Sequence, residues 1–422
     1  MAETAPGYLL RDCTVVDPLA EAPLQNAAVW VEGDRIKEVG TDPDLGARAR
    51  SAGCVELDLA GAYVTPGLIN MHTHFSLSLP GALGERVKRM GPHDLALYMA
   101  DGARRTLHSG VTTVRCVGEK DHADFALRTA VDSGFVPGPR IFTAGRALTC
   151  TGGHGHGSSG AFECDGATEF RRGVRTQIKA GADLIKVMIS GGISGRHEAI
   201  DTRQVTTDEL SAVIATAHEW GRKVTAHAGP WPVIREAVEL GLDCVEHGYE
   251  LTRELTGLMA ERGCAYVPTL VVTRCKEFFD ELGVPEWMQQ RSLGAGERHL
   301  QSYGWALEAG VEVLLGSDMP PFWRFEGTSA AVRELEYMAY GGLGAREALR
   351  AATIAPARWL DADDVLGSVT EGKYADLLVL EQDPLADTSA FRSISMVLKG
   401  GEVVRDDRAR AVAARREPAA LG

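Results

Sequence analysis

The segment Thr65-Pro66-Gly67-Leu68-Ile69-Asn70-Met71-His72-Thr73-His74 carries two histidines separated by one residue, at the end of a mostly apolar run from Ala62 to Ile69. The apolar run predicts a buried strand. Because side chains alternate along a strand, His72 and His74 point to the same face. At the C-terminal end of a strand in a parallel barrel, that face looks into the active-site mouth. Two neutral imidazoles on one face form half of a divalent metal site, and the alternative is a pair of surface histidines.

Four later apolar runs carry or lead into further potential ligands. The runs are Leu184 to Ile189 with Lys186, Lys223 to Ala228 with His227, Cys244 to Gly248 with His247, and Val311 to Leu315 followed by Asp318. The stretches with helical periodicity between and after them are Asp208 to Trp220, Trp231 to Leu240, Arg253 to Arg262 and Gly296 to Ala309. This repeat of strand, ligand and helix is how a (β/α)8 barrel presents residues at one rim.

Both chain ends carry short strand patterns, and neither end is long enough to form a stable sheet alone. The patterns are Tyr8 to Asp17, Ala27 to Val39 with a turn at Gly33-Asp34-Arg35, Val55 to Leu59, Asp376 to Leu380, and Ile394 to Val404. We therefore predict an α/β fold with two domains. A TIM-like (β/α)8 barrel spans residues 65–364, and a small β-sandwich domain is formed jointly by residues 1–64 and 365–422.

The composition is that of a soluble globular enzyme. The 422 residues suit a barrel with a small appendage, and 45% hydrophobic and 24% charged residues are ordinary for such a protein. A net charge of −14 argues against nucleic acid or an anionic membrane as partner. Eight scattered cysteines without a Cys-x-x-Cys pair, and no evident signal peptide, predict a cytoplasmic setting. The partners we expect are a small-molecule substrate and further copies of the chain in a homo-oligomer.

Taken together, these residues resemble the amidohydrolase superfamily of metal-dependent hydrolases, and more narrowly its imidazolonepropionase-like and Xaa-Pro dipeptidase-like branch. The further segments that carry the resemblance are Thr151-Gly152-Gly153-His154, Ala180 to Met188, Thr225-Ala226-His227-Ala228, Val245-Glu246-His247-Gly248, Gly316-Ser317-Asp318, and Glu371 to Leu380. The resemblance covers nearly the whole chain. It implies a hydrolase that acts on C–N bonds with two divalent metal ions.

The resemblance also implies a ligand set. His72, His74 and Asp318 would hold the more buried ion, and His227 and His247 the more exposed one. Zinc is the favoured ion on imidazole and carboxylate ligands, with cobalt and manganese as alternatives. For His227 and His247 the alternative is a pair of satisfied core histidines. Asp318 would also act as general base and then as general acid.

Lys186 is the unusual residue of the set. A lone ammonium inside an apolar strand costs several kcal/mol unless it is paired or neutralised. The resemblance implies that carbon dioxide carboxylates Lys186 and that the resulting carbamate bridges the two ions. The alternative is a lysine paired with Asp318 or another carboxylate.

Three residues are predicted to face the substrate. His154 lies in a glycine-rich loop where the family places a substrate-facing, catalytic histidine, and the alternative is a mobile surface residue. Tyr249 would orient a carboxylate or the tetrahedral oxyanion, or else serve as a rim aromatic. Arg196 lies in the loop after Lys186, where Gly191 to Glu198 departs from the pattern of the dipeptidase-like branch.

The leading hypothesis is therefore an amidase or peptidase that cleaves a dipeptide or an N-acyl or aryl-acyl amino acid with a metal-activated water. The runner-up is a cyclic-amide hydrolase of the imidazolonepropionase type. A deaminase ranks third, because such members often lack the bridging lysine. The non-enzyme alternative is a scaffold barrel that has lost its ligands, against which all six expected ligands are present.

Overall fold

The structure, a computed structural model, describes residues 7–156, 160–325 and 327–409. These residues form two compact units. One unit takes its described residues from Met1–Ile69, Thr106–Thr112 and Gly344–Gly422, and the other from Asn70–Arg105 and Thr113–Leu343. The domain boundaries expected near residues 65 and 365 stay a prediction, and the outermost parts of the terminal ranges, 1–6 and 410–422, lie outside the described residues.

The strands account for both units. In chain order they are β1 (Tyr8–Val15), β2 (Leu24–Glu32), β3 (Arg35–Gly40), β4 (Val55–Asp58), β5 (Tyr63–Pro66), β6 (Leu68–Thr73), β7 (Val111–Cys116), β8 (Arg140–Thr143), β9 (Ala147–Thr149), β10 (Ala161–Glu163), β11 (Ile185–Met188), β12 (Val224–Pro230), β13 (Cys244–Glu250), β14 (Ala265–Val267), β15 (Arg324–Phe325), β16 (Thr328–Ser329), β17 (Leu377–Leu380), β18 (Ile394–Lys399) and β19 (Glu402–Asp406).

The α-helices lie mostly between the strands of the second unit. They are α1 (Pro43–Ser51), α2 (Ala82–Arg89), α3 (Pro92–His108), α4 (Ala123–Asp132), α5 (Gly166–Ala180), α6 (Thr207–Glu219), α7 (Trp231–Glu239), α8 (Arg253–Arg262), α9 (Lys276–Leu282), α10 (Glu286–Gly294), α11 (Gly296–Glu308), α12 (Ala330–Tyr340), α13 (Ala345–Ala351) and α14 (Ile354–Trp359). Within the described residues, no helix combines the length and the apolar character needed to cross a bilayer.

Strands from both chain ends share one sheet in the first unit. Its order is β19-β18-β17-β5-β1-β2-β3, and β4 pairs with β1. Ile36 of β3 and Leu398 of β18 come from strands far apart in that order, yet both are buried in the same apolar cluster with Val29 and Val64. The sheet therefore curls around one core, and the prediction that the two ends form a joint β domain is confirmed.

The second unit contains a closed parallel barrel. Neighbouring parallel strands run from β6 through β7 to β8, and from β9 through β11, β12 and β13 to β14. β8 and β9 share one barrel position, separated by Gly145 in the left-handed region at φ +67°. The eighth position is residues 311–315, because Leu314 N donates to Tyr266 O at 2.8 Å and Met71 N donates to Leu315 O at 2.7 Å. The predicted TIM-like barrel is confirmed.

Local signals explain where the barrel helices begin and end. α6 begins after Thr206, whose backbone N–H donates to Oε2 of Glu209 at 2.8 Å, as in a capping box. α8 begins after Thr252, whose Oγ1 accepts from Leu255 N at 3.2 Å, and ends at Gly263 with φ +66°. The predicted helices over 208–220, 231–240, 253–262 and 296–309 are confirmed to within one residue at each end.

Asn70 ties the first barrel strand to the segment that follows the eighth. Its Nδ2 donates to Ser317 Oγ at 2.9 Å, while Oδ1 accepts from the backbone N–H groups of His72 and Ser317, each at 3.2 Å. All three residues are buried. These bonds set the register between the His72–His74 segment and Asp318.

We expect Asn70→Ala to lower the free energy of unfolding by roughly 2–4 kcal/mol, because it leaves buried donors without acceptors. Urea denaturation would measure the change. The matched control is Gln301→Ala on the exposed face of α11, where a change within about 0.5 kcal/mol is expected. Equal stabilities of the two variants would contradict the role of Asn70.

Candidate metal centre and active site

One cavity of about 820 Å³, counted with its open mouth, gathers most of the predicted site residues. Those that line it are His72, His74, His154, Lys186, His227, His247, Tyr249 and Asp318. The six predicted ligands come from β6, β11, β12, β13 and the segment after the eighth strand, so the barrel alone places them at one rim. Arg196 is the exception: it is exposed, outside the lining, with its guanidinium 5.7 Å from the centre of the Trp287 ring.

His72, His74 and Asp318 form the tightest cluster. The Nε2 atoms of the two histidines are 3.2 Å apart. Oδ1 of Asp318 lies 3.1 Å from Nε2 of His72 and 3.2 Å from Nε2 of His74. One ligand atom each from His72, His247 and Asp318 also lie within 4.8 Å of one another. Converging imidazole nitrogens and a carboxylate oxygen are the donor set that zinc prefers.

Each of the four histidines has one ring nitrogen held by a neighbouring oxygen. The pairs are Nδ1 of His72 with Oε2 of Glu246 at 2.7 Å, Nδ1 of His74 with the carbonyl oxygen of Gly118 at 2.8 Å, Nε2 of His227 with the carbonyl oxygen of Gly191 at 3.1 Å, and Nδ1 of His247 with Oγ1 of Thr269 at 2.7 Å. Such a partner fixes the tautomer and the ring orientation of a metal-binding histidine. The pattern favours metal ligands over satisfied core histidines.

The electrostatics of the cavity suit metal coordination. Burial lowers the pKa of His227 and of His247 well below the usual value, and the positive charges of neighbouring groups lower it further. Both imidazoles are therefore neutral, which coordination requires. Burial alone would raise the pKa of Asp318, but the charge of His72 and hydrogen bonds from His72 and His74 bring it well below the usual value. Asp318 is therefore ionised, as an anionic metal ligand would be.

Two of the ligands have an unusual backbone conformation. His247 has φ +68° and Asp318 has φ +50°, both in the left-handed region. A non-glycine residue there costs on the order of 1–3 kcal/mol, and such residues cluster at functional sites. Both side chains line the cavity.

Lys186 is buried, with 1% of its surface exposed. Its Nζ has no hydrogen-bond partner among the described residues, so the expected alternative of a lysine paired with Asp318 is not what the structure contains. Burial lowers the pKa of Lys186 to about 8, although Glu246 and Asp318 act to raise it. An orphaned, readily deprotonated amine at this place fits a group added to Nζ, and hence the carbamate.

A buried ion pair beneath the cavity was missed by the sequence reasoning. The guanidinium of Arg115 in β7 donates to Oε1 of Glu246 in β13, and both side chains are fully buried. Arg115 Nε also donates to Met71 O at 2.5 Å, and Thr225 Oγ1 donates to Glu246. The other oxygen of Glu246 holds His72. The feature of the sequence that could have indicated this pair is a charged residue inside each of two buried strands.

A second set of supporting residues surrounds His247. Thr269, which holds its Nδ1, begins a tight turn whose next two backbone N–H groups both donate to Glu334, each at 2.7 Å. Nε2 of His299 on α11 donates to the carbonyl oxygen of His247 at 2.9 Å. Burial lowers the pKa of His299 to about 3, so this histidine is neutral. The ligand is therefore held through both its ring and its backbone.

The rest of the cavity wall is largely apolar. Leu79, Met188, Val272, Phe279 and Met319 line it, but Phe322 does not. Phe322 instead packs against Phe75, with ring centres 6.4 Å apart. The ring of Tyr249 stacks on His247 at 5.4 Å between centres, and burial raises the pKa of its phenol well above the usual value. Tyr249 is therefore a protonated, neutral side chain.

Comparisons with known proteins agree with this architecture. The model of the Amidohydrolase family matches residues 63–404. Ochratoxinase from Aspergillus niger is 30% identical over 420 residues, covering 91% of this chain and 84% of that protein. Imidazolonepropionase from Anaeromyxobacter dehalogenans is 27% identical over 421 residues, covering 91% of each protein. The crystal structure of a Xaa-Pro dipeptidase with methionine bound in the active site has a TM-score of 0.82 and 29% identity, covering 94% of this chain and 99% of that one.

We expect Glu246→Gln to lower the free energy of unfolding by about 3–5 kcal/mol, because it leaves the buried Arg115 without its counter-ion. Metal affinity should fall roughly 10–100-fold, because His72 loses its anionic partner. Urea denaturation and competition with a chelator would measure the two effects. Glu308→Gln, which breaks the exposed pair with Arg253, is the control and should leave both properties nearly unchanged. The ion pair would lose its assigned role if Glu246→Gln behaved like this control.

Proposed function

Because the chain belongs to the amidohydrolase family, we propose that it is a binuclear metal-dependent hydrolase that cleaves an amide C–N bond of a small substrate. The observation that supports this most directly is the set of four histidines. Each has one ring nitrogen fixed by a neighbouring oxygen while its ring borders a cavity shared with Asp318 and Lys186. A barrel that serves only as a scaffold would not need four histidine rings fixed in this way at one cavity.

His72, His74 and Asp318 would hold one ion, and His227 and His247 the other, with zinc favoured for both. Lys186 would bridge them as a carbamate. Its neutral amine attacks carbon dioxide, an N–C bond forms, and one proton leaves to solvent. The resulting anion offers two oxygens where the structure has an orphaned nitrogen. When bound, the ions would polarise the substrate carbonyl and lower the pKa of the attacking water.

Asp318 is the proton carrier in this proposal. Its carboxylate accepts the proton of the attacking water, as general base, and then gives that proton to the leaving nitrogen, as general acid. The low pKa of Asp318 keeps its carboxylate ionised before the reaction. Its half-enclosed position, with 20% of the side chain exposed, lets it reach a group inside the cavity.

A dipeptide or an N-acyl amino acid, with an aryl acyl group as an option, fits the cavity best. The cavity borders the candidate metal ligands, and its apolar wall would accept an aliphatic or aromatic group. His154 would donate a hydrogen bond to the carbonyl oxygen or developing oxyanion, and Tyr249, which lines the cavity beside His247, would orient the substrate. We assign no contact to Arg196, since it lies outside the cavity lining. A homo-oligomer in the cytoplasm remains an expectation from the sequence.

The alternative is a cyclic-amide hydrolase of the imidazolonepropionase type, which the relative of that name supports. Both reactions break a C–N bond, so the site alone does not rank their substrates. Screening the zinc-loaded protein against dipeptides, N-acyl amino acids and cyclic ureides would separate them. Turnover of cyclic ureides alone would replace the leading proposal, and metal-loaded protein that cleaves none of the three classes would refute both.

We expect Lys186→Ala to lose most of the bound metal and nearly all activity, because the bridge disappears. Short carboxylic acids should restore part of the activity by supplying the missing oxygens. Elemental analysis gives the metal content, and Lys179→Ala at the exposed end of α5 is the control that should keep about two ions per chain. If the Lys186→Ala protein kept both ions, the bridging carbamate would be wrong.

We expect Asp318→Asn to lower kcat by at least about 10²-fold while most of the metal stays bound, because the proton carrier is lost and the histidines remain. Asparagine tolerates the left-handed conformation that residue 318 adopts, so the backbone should be preserved. Steady-state kinetics and elemental analysis of the same preparation measure the two quantities. Turnover like that of the wild type would rule out the acid–base role.

A further inference from the structure

The loop between β11 and α6, which departs from the pattern of the dipeptidase-like branch, is well anchored. Gly191 N donates to Thr202 O at 2.8 Å, and Gln204 N donates to Ile189 O at 3.1 Å, so the loop closes on itself. Nη1 of Arg291 on α10 donates to the carbonyl oxygen of Gly195 at 2.6 Å and lies 3.2 Å from that of Gly192. The loop is thus fixed at its base and at its tip.

This loop places a carboxylate against His154. Oε1 of Glu198 lies 2.6 Å from Nδ1 of His154, and 7% and 12% of the two side chains are exposed. Gln204 connects the same two residues a second time. Its Oε1 accepts from His154 N at 2.8 Å, and its Nε2 donates to Oε2 of Glu198 at 2.7 Å. Both carboxylate oxygens of Glu198 are therefore engaged, one of them with the histidine ring.

The remaining sides of the His154 ring are also confined. The ring stacks on His227, with centres 4.1 Å apart and planes 17° from parallel. Gly192 packs against its edge so closely that a Cβ atom there would lie 2.3–2.8 Å from three ring atoms. Burial alone would raise the pKa of Glu198, but the hydrogen bond and charge of His154 lower it. Glu198 is therefore ionised. The contacts with His227 and Gly192 confine the ring of His154 to one position beside it.

We propose that Glu198 is a positioning residue: its carboxylate holds the proton of His154 on Nδ1 and turns the Nε2 edge of the ring toward the substrate. With Nδ1–H donating to Glu198, Nε2 is the nitrogen left to carry the N–H that the substrate carbonyl oxygen or the oxyanion would accept. Nothing in the sequence marks Glu198, because its partner lies 44 residues earlier in the chain. The donor role rests on the proposed hydrolysis, whereas the positioning role does not.

A double-mutant cycle on the zinc-loaded protein tests the donor role, with an N-acyl amino acid that the wild type cleaves as substrate. His154→Ala should keep two ions per chain and lose roughly 10–10³ in kcat/KM, and Glu198→Gln should lose about 10–100-fold, mainly in kcat. The double variant should be within about twofold of His154→Ala alone, since Glu198 acts through that ring. Additive losses, or loss of zinc in Glu198→Gln, would overturn the proposal.

Gly192→Ala provides an independent route to the same conclusion. Its Cβ would displace the ring of His154 without changing any charge, so it should reproduce the kinetic loss and add nothing further in the His154→Ala background. Gly294→Ala in α10 is the matched control, because a Cβ there meets nothing within 4 Å. A Gly192→Ala protein with the kinetics of this control would show that the position of the ring is unimportant.

Nuclear magnetic resonance tests the positioning role without any turnover. In substrate-free, zinc-loaded protein labelled with ¹⁵N-histidine, His154→Ala identifies the His154 signals. Those signals should report a protonated Nδ1 in the wild type and shift toward the Nε2 tautomer in Glu198→Ala. An unchanged tautomer would overturn the positioning role. Protein that cleaves no amide would defeat the donor role together with the proposed function, and the tautomer would still decide what Glu198 does.

Discussion

The ion pair between Arg115 and Glu246 is the interaction on which the site depends. It lies between two barrel strands with no exposed surface on either side chain. A lone charge there would be strongly destabilising, so each residue requires the other. Through its second oxygen Glu246 orients His72, and through its Nε Arg115 binds the carbonyl oxygen of Met71, the residue before that ligand. The pair thus joins the packing of the barrel to the geometry of the first ligand.

The same principle recurs around the other ligands, with uncharged partners. His74 is held by a backbone carbonyl oxygen, and His247 by the hydroxyl group of Thr269. His247 also has a strained backbone, yet His299 binds its carbonyl oxygen and Glu334 fixes the turn that follows Thr269. A strained residue persists only where its surroundings determine its conformation from several directions. The contacts of His247 with Thr269 and His299 hold the residue in this conformation.

Much of the fold could be predicted because periodicity is a local signal. Helices such as Trp231–Glu239 and strands such as Val224–Pro230 begin and end close to where the apolar pattern changes. The candidate ligands could be proposed because each lies in or shortly after such an apolar run, and their role as ligands stays a prediction. Arg115 and Glu246 were missed because a charged residue inside a strand has meaning only through its partner, which lies 131 residues away. Glu198 was missed for the same reason, and Arg196 was preferred as a loop cation although it is exposed and lies outside the cavity lining.

The site requires opposite protonation states from groups within one cavity. In the proposed metal centre the histidines would be neutral in order to coordinate, Lys186 would lose its proton before reacting with carbon dioxide, and Asp318 would stay ionised. Burial alone favours the neutral forms of the histidines and of Lys186, but it opposes the ionisation of Asp318. Hydrogen bonds from His72 and His74 oppose the effect of burial on the pKa of Asp318, just as the charge of Arg115 lowers the pKa of Glu246 against burial. A uniformly apolar cavity would therefore not keep these carboxyl groups ionised. The buried ion pair and the oriented histidines are what allow a largely buried site to keep its carboxylates charged.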